Sequence, residues 1–202
     1  MKGLHNCLFL DRDGTINVEK HFIQDPDDLE LIPGSAETIR NARELGMKVI
    51  VISNQSGVAR GIMTEDDVHR VNRRLIELLD VEDAPVDAIY FCPHYSSDDT
   101  ECLCRKPNTG LFEKARQEHG INLRQSIMVG DRLSDIEAGN RIGAATVLVL
   151  TGYGKTLQNN WDEKPEGIDI VAPSLYDSMT FIKEKVNEWK KSGKDVVEKS
   201  EN

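Results

Sequence analysis

The feature that most constrains the fold of this chain is a short apolar run that ends in two closely spaced carboxylates. Residues 7–10 read Cys-Leu-Phe-Leu, and Asp-Arg-Asp-Gly-Thr follows them at 11–15. The run predicts a buried strand, and side chains two positions apart in extended backbone point to the same side. Asp11 and Asp13 would then repel each other unless magnesium, or a bound phosphate surrounded by cations, offsets their charge. A polar turn is the alternative, because Asp-Gly is a common turn dipeptide.

Three further segments carry polar or charged side chains next to predicted strands and helices. The apolar run 47–52 leads into Ser53-Asn54, Arg105-Lys106 precedes a predicted helix, and the run 126–130 leads into Asp131, with Asp135 four residues later. Taken singly, each segment is compatible with a turn, a solvated surface pair or the first turn of a helix. Parallel sheets bind ligands outside the carboxyl ends of their strands, so the four segments together predict one site for phosphoryl transfer.

The pattern along the chain predicts an α/β fold with a doubly wound, mostly parallel, Rossmann-like sheet. Strand-like runs alternate with helix-period segments, as βαβ units require. The predicted strands are 7–10, 47–52, 87–91, 126–130 and 145–150, with a late edge strand at 168–171; the predicted helices are about 34–45, 64–79, 109–119, 133–142 and 174–190. We expect one domain over 1–190 and a polar, disordered tail over 191–202.

The four segments resemble the motifs of the haloacid dehalogenase superfamily of phosphohydrolases. The matching residues are Asp11-x-Asp13-Gly14-Thr15, Ser53, Lys106 and Gly130-Asp131-x-x-x-Asp135, within a resemblance that spans about Cys7 to Gly154. The resemblance implies the fold of that superfamily. No insertion is long enough for the separate cap domain of many members, so we expect short loops at 17–32, 55–63 and 92–108 to shape the pocket. His21 lies in the first of these loops without an assigned role.

The resemblance also implies a role for each motif residue. Asp11 would be the nucleophile that becomes an aspartyl phosphate, and Asp13 would protonate the leaving alcohol and later deprotonate water. Magnesium would be held by Asp11, the Asp13 main-chain carbonyl and Asp131. Ser53 and Lys106 would bind the transferring oxygens, and Lys106 would partly neutralise the nucleophile. Asp135, named above, would support the site by hydrogen bonding.

A second constellation lies between Cys92 and Cys104. Cys92-Pro93-His94 and Cys102-Leu103-Cys104 place three of the four cysteines and one of the five histidines within thirteen residues. Zinc takes Cys and His ligands tetrahedrally, so Cys92, His94, Cys102 and Cys104 predict a closed structural site. Free thiols or a disulfide are the alternatives, and nothing marks the chain as secreted. Because Lys106 follows two residues later, the zinc would hold the loop that carries it.

The zinc loop is similar to that of a branch of this superfamily that acts on heptose bisphosphates or on histidinol phosphate. Residues 53–61, Ser-Asn-Gln-Ser-Gly-Val-Ala-Arg-Gly, are similar to the heptose enzymes. This implies a sugar bisphosphate as substrate, the 7-phosphate of D-glycero-D-manno-heptose 1,7-bisphosphate being hydrolysed. Histidinol phosphate or another small sugar phosphate is the alternative. Guanidinium groups bind phosphate bidentately, which favours Arg60 or Arg105 for the second phosphate, although Arg60 could be a solvated loop side chain. The predicted substrate-binding set is Ser53, Asn54, Arg60, Arg105 and Lys106.

Composition excludes several classes of partner. A net charge of −10 disfavours nucleic acid and anionic membrane surfaces. No apolar run approaches the length of a membrane span, and the first strand begins too early for a signal peptide. We therefore expect a cytoplasmic monomer. A non-catalytic, zinc-stabilised binding module is disfavoured because every acid that the reaction needs is present.

Overall fold

A single parallel sheet organises the chain. The computed structural model describes residues 4–95 and 102–200, with side chains as far as residue 192. Its strands are β1 (His5–Leu10), β2 (Lys48–Asn54), β3 (Ala88–Cys92), β4 (Ile121–Gly130), β5 (Ala145–Val149) and β6 (Ile170–Ala172). They lie in the order β3-β2-β1-β4-β5-β6, and every neighbouring pair is parallel. The parallel sheet and its late edge strand are confirmed.

Helices cover both faces of this sheet. They are α1 (Ser35–Glu44), α2 (Glu65–Val81), α3 (Gly110–His119), α4 (Leu133–Arg141), α5 (Gly154–Asn159) and α6 (Met179–Ser200). One buried cluster joins the sheet to α1, α2 and α6, and a second joins it to α3 and α4. The sheet is therefore doubly wound, as predicted.

Strand β1 shows how the two cores arise from one sequence. Successive side chains of a strand point to opposite faces. Leu8 and Leu10 enter the cluster under α1, α2 and α6, whereas Cys7 and Phe9 enter the other. Phe9 meets Phe112 of α3 edge-on, with the ring centroids 5.0 Å apart. A strand buried on both faces must be apolar at every position, which explains the continuous run 7–10.

Local signals set the helix ends. Thr64 caps α2 by accepting a hydrogen bond from the Asp67 main-chain N–H at 3.1 Å, and the Asp67 carboxylate accepts the Thr64 N–H in return. This capping box confirms the predicted start of α2. Gly46 lies just beyond the end of α1, as predicted.

Three elements differ from prediction. Strand β4 begins at Ile121, five residues before the predicted start at 126. The prediction missed this first half because Asn122, Arg124 and Gln125 are polar and interrupt the apolar run. Helix α5 is short and was not predicted. Helix α6 runs from Met179 to Ser200, whereas the predicted helix spans about 174–190. Lys and Glu are good helix formers, which explains the later end. The disordered tail over 191–202 stays a prediction. Residues 96–101 of the predicted zinc loop lie outside the described residues.

The sheet topology fixes where a ligand can bind. After β1 the chain passes through α1 to β2 on one side, and after β4 it passes through α4 to β5 on the other. Such a change of direction between adjacent strands opens a crevice beyond their carboxyl ends. Asp11 follows β1 and Asp131 follows β4, so the topology brings these two carboxylates to the crevice.

Candidate active site

A cleft of about 540 Å³ lies beyond the carboxyl ends of β1, β2 and β4. The three loops predicted to shape the pocket all contribute to its wall: 17–32, 55–63 and 92–108. The segments after β4 and β5 contribute as well, through Arg132, Ser134 and Tyr153, which were not predicted. The predicted residues that line it are Asp11, Asp13, His21, Ser53, Asn54, Arg60, Arg105, Lys106 and Asp135.

Lys106 is the cation at the floor of the cleft. Its Nζ lies 2.6 Å from Asp11 Oδ1 and 2.8 Å from Asp135 Oδ1, and it donates to the Ile52 carbonyl at 2.5 Å. Its side chain is 1% exposed. Burial alone would lower the pKa of Lys106, but the two facing carboxylates outweigh burial and raise it. Lys106 is therefore held as a cation against the predicted nucleophile.

Asp131 is buried beside this ion pair and has one oxygen without a partner. Its Oδ2 accepts the Tyr153 N–H at 2.7 Å, whereas Oδ1 has no hydrogen bond. Oxygens of Asp11, Asp131 and Asp135 lie within 4.8 Å of one another. Burial, with repulsion from Asp11 and Asp135, raises the pKa of Asp131 to about 8, and burial raises that of Asp11 to about 6.

These observations fit a divalent cation. If Asp11, Asp131 and Asp135 all ionise, three carboxylates against one lysine leave two negative charges in a buried site, which is the charge that one Mg²⁺ would neutralise. The unpaired Oδ1 of Asp131 is a hard oxygen donor of the kind that magnesium prefers.

Two glycines make room for the Asp131 carboxylate. Gly14 and Gly152 have φ angles of 80° and 54°, in the left-handed region. A Cβ built on either residue would collide with Asp131 Oδ2. The Gly that follows Asp13 is therefore required by close approach of the backbone as well as by its conformation.

Asp13 sits among hydrogen-bond donors. It accepts from Arg12 Nη2 at 2.8 Å and Nε at 3.2 Å, from Asn17 Nδ2 at 2.9 Å and from Gln55 Nε2 at 2.8 Å. Burial would raise the pKa of Asp13, but the Arg12 charge and these hydrogen bonds outweigh it and lower the pKa. These contacts favour the carboxylate form of Asp13.

Asn54 and Gln55, which follow Ser53, form hydrogen bonds to other residues of the site. Asn54 clamps the main chain of Lys106, donating to its carbonyl and accepting its N–H, both at 3.0 Å. Gln55 Nε2 donates both to Asp13 and to Ser53 Oγ, the latter at 2.7 Å. Gln55 was not predicted, although its position two residues after Ser53 offered a signal.

The second constellation forms a compact tetrahedral cluster. The six distances among the Sγ atoms of Cys92, Cys102 and Cys104 and the Nδ1 atom of His94 range from 3.0 to 3.7 Å. Ligands about 2.3 Å from a central zinc stand roughly 3.8 Å apart in a tetrahedron, so the spacing fits zinc with only slight expansion. All four cysteines of the chain are free thiols, which excludes the disulfide alternative.

Three arginines line the cleft, each held by a neighbour. The Arg60 guanidinium lies 4.0 Å from the centre of the Tyr95 ring, and Arg105 Nη1 donates to the His94 carbonyl at 3.0 Å. Arg132 lies 3.7 Å from the Tyr153 ring centre. Positive charge around an anionic floor favours a substrate that carries phosphate.

A small network closes one side of the cleft. The hydroxyl group of Tyr153 is 3.0 Å from His21 Nδ1, and Arg132 Nη2 is 3.7 Å from Glu19 Oε2. His21 adopts a φ of 61°, which is uncommon for a residue with a side chain. Arg132 and Tyr153 follow β4 and β5, so their place in the chain could have indicated the site once the strand order was known.

Known proteins resemble this chain over most of its length. Residues 103–178 match the HAD-hydrolase-like family model. The chain is 36% identical over 185 residues to D-glycero-D-manno-heptose-1,7-bisphosphate 7-phosphatase of Thermosynechococcus vestitus, covering 87% of this chain and 94% of that protein. It is 37% identical over 183 residues to D-glycero-beta-D-manno-heptose-1,7-bisphosphate 7-phosphatase of Escherichia coli K12, covering 88% and 93%.

This chain belongs to the haloacid dehalogenase family of hydrolases.

Solved structures place this haloacid dehalogenase family member beside phosphatases. A D,D-heptose 1,7-bisphosphate phosphatase from B. bronchiseptica, complexed with magnesium and phosphate, superposes with a TM-score of 0.79 at 31% identity, over 89% of this chain and 99% of that one. A putative HAD-like phosphatase from Mesorhizobium loti gives a TM-score of 0.76 at 32% identity, over 91% and 88%. The family predicted from the four motifs is thereby confirmed.

Within the residues that the structure describes, no cap domain is inserted between the strands of the sheet. In the same ranges, no helix has both the length and the apolar composition needed to cross a bilayer.

Proposed function

We propose that this chain is a magnesium-dependent phosphatase that removes the 7-phosphate of D-glycero-D-manno-heptose 1,7-bisphosphate. The main support is the pairing of buried Asp11 with buried Lys106 at the floor of a cleft lined by arginines. Relatives that share over a third of their residues with this chain act, by name, on that bisphosphate. The alternative of a non-catalytic binding module leaves the buried charges without a use.

Magnesium would be held by Asp11, Asp131 and the main-chain carbonyl of Asp13. When bound, it would supply positive charge to the carboxylate and phosphate oxygens, which otherwise repel. Asp135 is already engaged with Lys106 and with the Arg132 N–H at 3.0 Å. A supporting position suits Asp135 better than ligation.

The reaction would proceed in two displacements. An Asp11 oxygen attacks phosphorus, the bond from phosphorus to the sugar oxygen breaks, and Asp13 gives that oxygen its proton. The carboxylate of Asp13 then takes a proton from water, which attacks the aspartyl phosphate and releases inorganic phosphate. Lys106 and Ser53 hold the transferring oxygens. An incoming phosphate dianion raises the proton affinity of Asp13 by like-charge repulsion, which favours the acid form for the first step.

Cys92, His94, Cys102 and Cys104 would bind a structural zinc ion. The cluster lies immediately before Lys106 and is connected to the Arg60 loop, because the Ala59 N–H donates to the Pro93 carbonyl at 3.1 Å. Zinc would therefore order two walls of the cleft without taking part in the reaction.

Arg60 and Arg105 would bind the second phosphate of the substrate, with Arg132 as a third candidate across the cleft. The fork of a guanidinium group matches two phosphate oxygens. We further propose one domain over 1–190 that acts as a cytoplasmic monomer on a small sugar bisphosphate, with neither nucleic acid nor membrane as partner.

Phosphate release from a substrate panel tests this function. The panel contains both anomers of the heptose 1,7-bisphosphate, the heptose 7-phosphate and histidinol phosphate. We expect kcat/KM to be highest for a bisphosphate anomer, and at least tenfold lower for the 7-phosphate because its arginine contacts are lost (about 1.4 kcal/mol). A preference for histidinol phosphate would overturn the substrate, and no hydrolysis of any ester with magnesium present would overturn the phosphatase.

A further inference from the structure

Among the side chains that the structure describes, Arg12 is the largest that is completely buried. It lies between the two catalytic carboxylates in sequence, yet it does not line the cleft. Its guanidinium forms a fork onto Asp13, with Nη2 2.8 Å from Oδ2 and Nε 3.2 Å from Oδ1. Burying a guanidinium costs several kcal/mol unless its N–H groups are well paired. A side chain buried at that cost calls for a role beyond packing.

The remaining nitrogen of the Arg12 guanidinium, Nη1, contacts a residue that does not belong to the active-site loops. Arg12 Nη1 donates to Asn72 Oδ1 at 2.9 Å. Asn72 is a buried polar residue of α2, on the face that otherwise packs Val68, Val71, Leu75 and Leu79 into the core. Helix α2 does not contribute a side chain to the cleft wall. Asn72 therefore links the orientation of Arg12 to a packed helix.

We propose that Arg12 and Asn72 are a positioning pair that fixes the orientation of the Asp13 carboxylate. A planar guanidinium bound through two N–H groups sets the plane of the carboxylate it contacts, and the Asn72 bond stops the guanidinium from rotating. Asn17 and Gln55 complete the donors around the same two oxygens. This inference rests on the proposed function, in which Asp13 delivers a proton to the leaving oxygen.

The position of Asp13 can be tested by comparing substrates whose leaving groups do and do not need a proton. A sugar alkoxide is strongly basic and leaves only when it is protonated, whereas p-nitrophenolate leaves without a proton. A displaced Asp13 would slow cleavage of the sugar phosphate and spare that of p-nitrophenyl phosphate. Loss of a merely structural contact would affect both substrates alike.

The test compares Asn72→Leu with Asn72→Asp in single-turnover experiments with magnesium and enzyme in excess. The measured quantity is the rate of leaving-group release from the best alkyl phosphate of the wild-type enzyme and from p-nitrophenyl phosphate. We expect Asn72→Leu to slow the alkyl phosphate about 10- to 100-fold and p-nitrophenyl phosphate less than about threefold. Asn72→Asp keeps an acceptor for Arg12 and should retain most of the alkyl rate.

Equal losses on the two substrates, or no loss on either, would overturn the positioning role. If Asn72→Leu does not fold, Arg12→Lys gives the same comparison, because an ammonium group cannot form the fork. A failure of the proposed function shows separately, since the wild-type enzyme would then release neither leaving group.

Discussion

The carboxylate cluster and the Cys/His cluster are both suited to a metal ion, but the chain builds them in opposite ways. Asp11 and Asp131 come from distant parts of the sequence and are brought together by the adjacent strands β1 and β4. The four residues of the Cys/His cluster lie within thirteen positions, and the three that come after Cys92 lie on a loop. The sheet positions the first cluster, whereas we propose that zinc orders the loop that carries most of the second.

The two clusters meet at Lys106. This residue follows Cys104 by two positions and pairs with Asp11, while Asn54 clamps its main chain. In the proposed function, Lys106 is therefore the point at which the loop of the Cys/His cluster joins the site at the edge of the sheet. Disturbing either cluster should have different consequences for stability and for turnover.

The largest expected effect is the loss of the nucleophile. Asp11→Asn removes the attacking oxygen and a magnesium ligand, and it should lower kcat by more than about 10³-fold while the fold persists. Steady-state phosphate release and circular dichroism check the two parts. The exposed Asp162→Asn is the matched control and should keep full activity. Turnover above a hundredth of the wild-type rate would reject Asp11 as nucleophile.

Loss of a ligand in the Cys/His cluster should affect both order and activity. Cys102→Ser should release zinc, destabilise the protein by more than about 3 kcal/mol and lower kcat/KM about 100-fold through a displaced Lys106. Metal analysis and thermal unfolding provide the measurements. Cys7→Ser, outside the cluster, should keep its zinc. Full zinc content in Cys102→Ser would contradict the ligand set.

The carboxylate cluster should bind magnesium more tightly as pH rises. The raised pKa values of Asp11, about 6, and Asp131, about 8, mean that protons compete with the cation below pH 8. Magnesium affinity should rise about tenfold per pH unit for each proton displaced between pH 6 and 8, and then level off. Calorimetry in buffers of different ionisation enthalpy measures both affinity and proton release.

The raised pKa values of Asp11 and Asp131 also determine how the stability of the fold changes with pH. Carboxyl groups with raised pKa values in the fold favour it most below their unfolded values, near pH 4, and this contribution is lost as pH rises through 6 and 8. Without magnesium, the wild-type protein should lose more stability across that range than Asp131→Asn does. Equal losses in the two proteins would show that Asp131 is ionised throughout.

The smallest expected effect tests whether surface contacts hold the Lys106 loop. Arg141 Nη1 donates to the Pro107 carbonyl and to Asn108 Oδ1, both at 3.2 Å and both exposed. Arg141→Ala should change the free energy of unfolding by less than about 0.5 kcal/mol and leave kcat/KM within about twofold. A larger loss would mean that neither the Cys/His cluster nor Asn54 is sufficient to hold the loop.

Sequence patterns predicted the residues of both clusters because those residues stand at strand ends or at metal-ligand spacing. Asp11 and Asp131 follow the rule that ligands lie beyond the carboxyl ends of parallel strands, whereas Lys106 was indicated by its place before a helix and by the family motif. The spacing of Cys92, His94, Cys102 and Cys104 is local and needs no tertiary information, and it led to the tetrahedral arrangement that the structure shows.

Contacts that depend on tertiary packing could not be predicted in this way. Asn72 looks like a surface residue of an amphipathic helix until its contact with Arg12 is seen. Arg132 and Tyr153 join the cleft only because β4 and β5 are neighbours in the sheet. The extension of α6 to Ser200 follows from helix propensity, which a polar composition obscures.

Gly14 and Gly152 set a steric condition on transplanting this catalytic centre. Their backbones lie against Asp131, so any larger residue at either position would displace the carboxylate. A designer who grafts the acidic residues and the lysine onto another parallel sheet must therefore copy two bare backbone positions from separate loops. The absence of a side chain at these two positions is therefore as necessary to the design as the reactive groups themselves.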